Sequence, residues 1–298
     1  MAKICDFGIS FLDNKILGFF ERDLIVIGAS SGIGKSSLSV LLARNALRRN
    51  VQVSLFSLEN GAGSVKAKLT FVDYAKRANR FVKEREFIDD FDRDPEKFAE
   101  YTQTWDELNA KTLPGDIPLF DLLEDYTKVD SVEKLLKEIS VRIQLGYKII
   151  IIDHIDCLPI LYAHRNDFIS KVMTALYDLA YKHNVCIITF SQVSKTINPN
   201  IQIPGKNDLV GGADKINKAT LVITLARDKY HDLELEHKMA TLVAIRKDRY
   251  GQPYMGRLYF RNGEYEDDFV EIHDFDERGF IVEGNNMTQV IRKFGRKD

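Results

Sequence analysis

The segment Leu24–Ser36, LIVIGASSGIGKS, constrains this chain more than any other. An apolar run, Leu24–Ile27, passes directly into Gly28–Gly34 and then Lys35–Ser36. Small residues let several backbone N–H groups converge on phosphate oxygens. A lysine then reaches the terminal phosphates, a hydroxyl serves magnesium, and the following helix presents its N-terminus. Gly32, Gly34, Lys35 and Ser36 meet each demand. The expected nucleotide-binding set is Ala29, Ser30, Ser31, Gly32, Ile33, Gly34, Lys35, Ser36 and Ser37. Ala29 stands where the pattern commonly opens with glycine, a change the backbone is expected to tolerate.

Two other readings of these letters compete. Gly28–Gly34 also spells the dinucleotide loop of short-chain dehydrogenases, which need a tyrosine with a lysine four residues on. None of the 12 tyrosines satisfies this; Tyr177, for instance, is followed by Tyr181. Thr127–Lys128–Val129–Asp130 resembles the guanine-reading T-K-x-D of GTPases. No aspartate between Ser36 and Thr127 has a glycine three residues later, as a γ-phosphate-sensing D-x-x-G requires. Asp130 is instead read as the N-cap of a helix over Ser131–Ile143, with Glu133 completing a capping box.

Apolar, β-branched runs at Leu24–Ile27, Val51–Leu58, Lys148–Ile152, Val185–Phe190 and Thr220–Leu225 read as buried parallel strands. Helical patterns over Ser36–Arg48, Ser131–Ile143 and Phe168–His183 lie between them, which predicts right-handed crossovers and a sheet covered on both faces. Met239–Phe260 reads as a hairpin turning through Tyr250–Gly251. The expected fold class is therefore α/β: a mostly parallel central sheet flanked by helices, with a C-terminal β-hairpin. Its 298 residues suffice for one large domain, placed at 1–275, with a helical insertion at about 61–127 and a polar tail at 276–298. Lys83–Glu100 within the insertion reads as a solvated, acidic stretch.

A net charge of −2 excludes a generally basic nucleic-acid coat but not a local basic channel. Three cysteines without C-x-x-C spacing argue against a disulfide scaffold or zinc site. No apolar run is long enough for a bilayer, and the N-terminus lacks a signal-peptide profile, so no membrane partner is expected and the cytoplasm is the default compartment.

The catalytic candidates sit at strand ends. Asp153, closing Ile149–Ile152, is placed to hold magnesium with Ser36. Glu59 follows Ser57–Leu58 and is the candidate for orienting the attacking water; Gln192 follows Ser191 and is the candidate γ-phosphate sensor. Together they mark the carboxyl edge of a parallel sheet, where such sheets bind ligands.

From about Gly8 to Phe260 the motifs, in order, resemble the helicase domain of DnaB-type hexameric replicative helicases, a RecA-like P-loop NTPase fold. Phe7–Asp13 with Leu17–Gly18 resembles the family's lead-in, and Phe56–Glu59 its F-S-L-E segment. Asp153–His154–Ile155 is similar to the Walker B stretch of phage primase–helicases, and Ser191–Gln192–Val193 to the S-Q-L motif. Asp208–Gly212 and Ala213–Ile216 resemble the loop that grips single-stranded DNA, and Lys247–Gly251 the K-x-R-x-G hairpin.

The resemblance implies ATP and Mg2+ as ligands, Glu59 and Lys35 as catalytic groups, and Gln192 as sensor. It implies Arg249 as an arginine finger acting on the neighbouring subunit, with Lys247 as its companion. It further implies a homo-oligomer, with a hexamer expected, and single-stranded DNA held by Lys195, Lys206, Gly211, Gly212, Lys215 and Lys218. A primase or loader is a further expected partner. Lys195 stands where arginine is commoner, and with about two dozen residues before the first strand neither a primase-binding domain nor a linker helix is expected in this sequence. Two alternatives share the fold: a recombination ATPase forming filaments on DNA, and a regulatory or loader ATPase acting on a protein partner.

Overall fold

The computed structural model describes residues 1–272 apart from 59–60, 79–80, 114–115, 124–128, 130, 158–164, 194–202, 210–211 and 229–238. Nine strands form its main sheet: β1 (Leu24–Ala29), β2 (Val53–Ser57), β3 (Phe120–Leu123), β4 (Ile149–Asp153), β5 (Cys186–Gln192), β6 (Leu221–Arg227), β7 (Met239–Asp248), β8 (Tyr254–Arg261) and β9 (Glu264–Ile272). Their spatial order is β9-β8-β7-β6-β1-β5-β4-β2-β3. The six from β6 to β3 run parallel, and β7, β8 and β9 continue the sheet antiparallel.

Alternation explains how one sheet carries two cores. In β1, Ile25 and Ile27 enter an apolar cluster with Leu38, Leu41 and Ala46, whereas Leu24 and Val26 enter another with Leu135, Ile139 and Val172. The covering helices are α1 (Ser10–Ile16) and α2 (Lys35–Arg48) on the first face; α3 (Ala62–Ala78), α4 (Glu84–Arg93) and α5 (Ala99–Ala110) follow α2 in the chain, and α6 (Val132–Gln144) and α7 (Arg165–His183) cover the second face. Ile149, Ile150, Ile151 and Ile152 are all fully buried; each such side chain contributes about 1.5–3 kcal/mol relative to exposure. This is why the central strands read as unbroken apolar runs.

The structure corrects some of these expectations and extends others. The cap of α6 is Ser131, whose Oγ accepts from the Lys134 N–H at 3.2 Å; Asp130 lies outside the described residues. The expected hairpin is present as β7 and β8, and β7 also pairs with β6 along the whole of β6, so the antiparallel strands saturate what would be an open sheet edge. A third antiparallel strand, β9, went unread because EYEDDFVEI is acidic and half-exposed; charge on an edge strand guards against pairing with other chains. Finally, the 61–127 region is not purely helical. Its end supplies β3, which pairs with β2 as the outer parallel strand.

Nor is Lys83–Glu100 merely solvated. Phe87, Phe91 and Phe98 are buried with Phe71 and Ala75 in a satellite core, leaving only the acidic face in water. The satellite is tied to the main body by Arg44 of α2, 1% exposed, which donates to Asp73 of α3 at 2.7 Å and to Glu264 of β9. Among the described residues no helix is long and apolar enough to cross a membrane.

Candidate nucleotide site

β1 ends at Ala29, and the chain turns through Gly32 (φ +79°) and Gly34 (φ +102°) before α2 begins at Lys35. Both glycines occupy the left-handed region, and no atom lies within 4 Å of where a Cβ would project. The loop is therefore open towards solvent and strained for any other residue. Lys35, 7% exposed, donates from Nζ to the carbonyls of Ala29 and Ser30, both at 3.1 Å. Beneath it Asp153, 2% exposed, closes β4 in register with Ser57 of β2. Its Oδ2 accepts from Ser39 Oγ at 3.2 Å, and its carbonyl accepts from the Leu58 N–H at 2.5 Å. Glu59 itself lies outside the described residues.

A cleft of about 390 Å³ runs over this loop, lined by Ser31–Ser37 and by Gln192 at the end of β5. The structure therefore brings most of the expected phosphate-binding residues and the expected sensor to one place. Sequence reasoning missed several other walls. From the satellite helices, Lys68 and Glu84 pair at 2.8 Å, and Ser37 Oγ donates to Glu84 at 3.3 Å. At the far end stand Arg227, Thr241, Phe260 and Tyr265, the two rings meeting edge to face at 5.0 Å. Burial pushes the Tyr265 phenol up to about 12, so it remains a neutral ring and hydroxyl. One signal could have found Arg227: it closes a parallel strand whose Leu225 is the register partner of Ala29.

Two expected catalytic residues are elsewhere. The Arg249 N–H donates to the Thr220 carbonyl, and the Thr220 N–H to the carbonyl of Leu24, the first residue of β1. The phosphate loop follows the last residue of that strand, roughly 16 Å away at about 3.3 Å per residue. Arg249 Nη1 donates to Tyr177 Oη at 3.0 Å on α7. Lys247 donates to the carbonyls of Ile216 (2.6 Å) and Asn217 (3.3 Å), in the last turn of α8 (Gly212–Lys218). Burial, then Arg249 and Lys206, lower the Lys247 ammonium from its usual range.

The expected DNA-binding lysines do not behave alike. Lys206 is exposed and Lys218 half-buried, whereas Lys215 is 1% exposed and ion-paired with Asp156 at 2.6 Å. Lys215 thus differs from its reading as a surface contact: its ammonium faces the protein interior. Gly212 opens α8, while Lys195 and Gly211 lie outside the described residues.

At the same edge as Arg249, Asp23 is 8% exposed, and burial raises its carboxyl to about 6 against the Thr220 and Phe20 hydrogen bonds. Between about pH 4 and 6 the folded chain holds a proton that the unfolded chain has lost, so stability falls as pH rises through that window. Asp23→Asn is expected to flatten this fall and to raise stability at pH 7 by up to about 3 kcal/mol, read as Tm against pH. An unchanged pH profile would count against a buried, protonatable Asp23.

Residues 5–267 match the DnaB-like helicase C terminal domain family. The replicative DNA helicase DnaB of Geobacillus stearothermophilus is 25% identical over 250 residues, covering 82% of this chain and 52% of that protein. That of Treponema pallidum (strain Nichols) is 26% identical over 228 residues, covering 74% and 48%. The chain spans about half the length of the curated relatives it matches. In fold it resembles a solved ATPase domain, at a TM-score of 0.66, 21% identity, and 88% and 90% coverage of the two chains. It also resembles a DnaB-like replicative helicase described with its primase interactions, at a TM-score of 0.66, 20% identity, and 89% and 62% coverage. The sheet is that of a RecA-like ATPase domain, and the chain belongs to the DnaB-like helicase C terminal domain family.

Proposed function

We propose that the chain is the motor of a DNA-dependent ATPase of the replicative-helicase type, which hydrolyses ATP at subunit interfaces and translocates on single-stranded DNA. The carrying observation is the position of Arg249, at the opposite edge of β1 from its own phosphate loop. A guanidinium there serves a phosphate only if it belongs to a neighbouring copy, which makes a closed homo-oligomer, a hexamer in this reading, the working form.

The donor set fits a magnesium-bound nucleoside triphosphate: an open glycine loop, a buried lysine, the Ser36 hydroxyl and a buried carboxylate at Asp153. Ser36 and Asp153 would hold the metal, which supplies charge neutralisation at the phosphate oxygens when bound. The loop N–H groups and Lys35 bind and orient the terminal phosphates. Glu59 takes the proton of the attacking water, and Gln192 senses the γ-phosphate by hydrogen bonding to it. Arg227, Phe260 and Tyr265 offer a cation and two rings for the base. Lys206 and Lys218 meet the DNA backbone together with Lys195, Gly211 and Gly212. A primase or loader joins this motor through surfaces outside the nucleotide cleft.

The test is ATPase activity with and without single-stranded DNA, paired with mass measurement in solution. Expected are a rate increase of roughly tenfold or more with DNA, binding that weakens steeply with salt, and a mass of six chains. DNA-independent hydrolysis by a chain that stays monomeric with nucleotide and DNA would overturn the proposal. Open helical filaments in electron microscopy would point to a recombination-type ATPase instead.

A further inference from the structure

The turn that follows the Asp153 strand carries a buried carboxylate which the nucleotide chemistry does not use. Asp156, in the 3-10 turn Ile155–Cys157, accepts at Oδ2 from the Gln192 N–H (2.8 Å) and from Ser191 Oγ (2.9 Å). Its other oxygen, Oδ1, takes the Lys215 ammonium at 2.6 Å, and Lys215 also donates to Ser191 Oγ at 2.7 Å. The ion pair is almost wholly sheltered, with side chains 1% and 6% exposed. Four polar groups from three elements thus form one closed cluster at the end of β5.

The position of that cluster matters more than its strength. Gln192 lines the nucleotide cleft on one side. On the other, Lys215 stands in the middle of α8, whose last-turn carbonyls accept from Lys247 of β7, two residues before Arg249. The approach to α8 is held as well. Arg246 of β7 donates to the carbonyls of Pro204 (3.0 Å) and Ile203 (3.1 Å), and a Cβ on Gly28 would strike the Leu209 side chain. A shift of Gln192 can therefore reach α8 through the Asp156–Lys215 pair, beside the backbone bridge of Val193 to Leu209, and α8 meets the arginine strand through Lys247.

We infer that Asp156 and Lys215 are positioning residues that couple the Gln192 strand end to α8, so that nucleotide at the cleft sets the conformation of the segment around α8. Burial explains why an ion pair suits this task. In water such a pair holds neither geometry nor register, whereas inside the protein a lost partner is costly and the two charges move together. The inference needs only nucleotide binding at the cleft. Its DNA arm rests on the helicase-type reading above.

Three variants of the whole chain separate a relay from a simple structural brace: Lys215→Met, Asp156→Asn, and the two combined. Hydrogen exchange across residues 212–218 is followed with and without a non-hydrolysable ATP analogue and magnesium, next to analogue affinity and the ATPase kcat and KM. In the unaltered chain the analogue is expected to change exchange in α8. Each variant is expected to lose that change while binding the analogue within about threefold of the unaltered chain. The combined variant leaves no uncompensated buried charge, so it should regain the thermal stability a single change loses, yet not the coupling. Recovery of both together would reduce the pair to a brace and overturn the inference. So would an unaltered chain whose α8 ignores the analogue, or variants whose α8 responds normally. If single-stranded DNA stimulates the ATPase, that stimulation should fall at least tenfold in all three with KM for ATP little changed. Absence of stimulation in the unaltered chain, with the exchange response intact, would count against the DNA reading and leave the relay standing.

Discussion

Replacing Arg249 with alanine is expected to lower kcat for ATP hydrolysis by roughly 10³-fold or more while each chain still binds nucleotide. An arginine finger acts on charge that develops as the phosphoryl group transfers, so its loss falls on kcat rather than on binding. The placement of Arg249 adds a sharper result. In the proposed assembly each composite site would take its phosphate loop from one copy and its guanidinium from the next. Mixing Arg249→Ala chains with Lys35→Ala chains should therefore restore activity, to about a quarter of the unaltered level when equal amounts assemble at random and sites act independently. Steady-state hydrolysis over a titration of one variant into the other reads this directly. Mixtures that stay inactive, although both variants still co-assemble, would rule out action between subunits.

The second large effect separates holding the nucleotide from cleaving it. Lys35 is buried and bonds the carbonyls that shape the loop. Lys35→Ala should weaken Mg-ATP binding by roughly 100-fold or more, since charge-assisted bonds to the terminal phosphates are lost. Glu59→Gln should leave binding within a few-fold and lower kcat by roughly 10²–10⁴-fold, the usual scale for a lost general base. Fluorescent-nucleotide binding alongside single-turnover hydrolysis measures both. If Glu59→Gln hydrolyses normally, the base lies elsewhere, and Glu84, which already lines the cleft, becomes the carboxylate to replace.

How much was legible beforehand follows from how local each signal is. The phosphate loop and the buried strands are written in consecutive residues, so Leu24–Ser36 and Ile149–Asp153 could be read directly. The edge strands could not. Phe120–Leu123 is only four residues long, and Glu264–Ile272 carries five acidic residues on a half-exposed edge. Their pairing comes from the neighbouring strand and not from their own pattern. Lys68 and Glu84 were invisible for a related reason. Nothing in their own helices announces that the satellite core will turn Glu84, the first residue of α4, and Lys68, in the middle of α3, toward Ser37.

By itself, then, the sequence determined the phosphate-loop pattern and the α/β architecture, because backbone N–H groups, small residues and alternating burial act over a few positions. Only the tertiary structure decided what the charges do. Lys206 and Lys215 look alike in a string of letters, yet one is in water and the other is clamped to Asp156, since burial depends on which distant strand end packs beside it. For Arg249 the family resemblance implied a role on a neighbouring subunit, and the fold adds that it stands a strand's length from its own phosphate loop. Electrostatic effects fall off over that distance, so the fold, and not the motif, sets how far the arginine stands from its own phosphate loop.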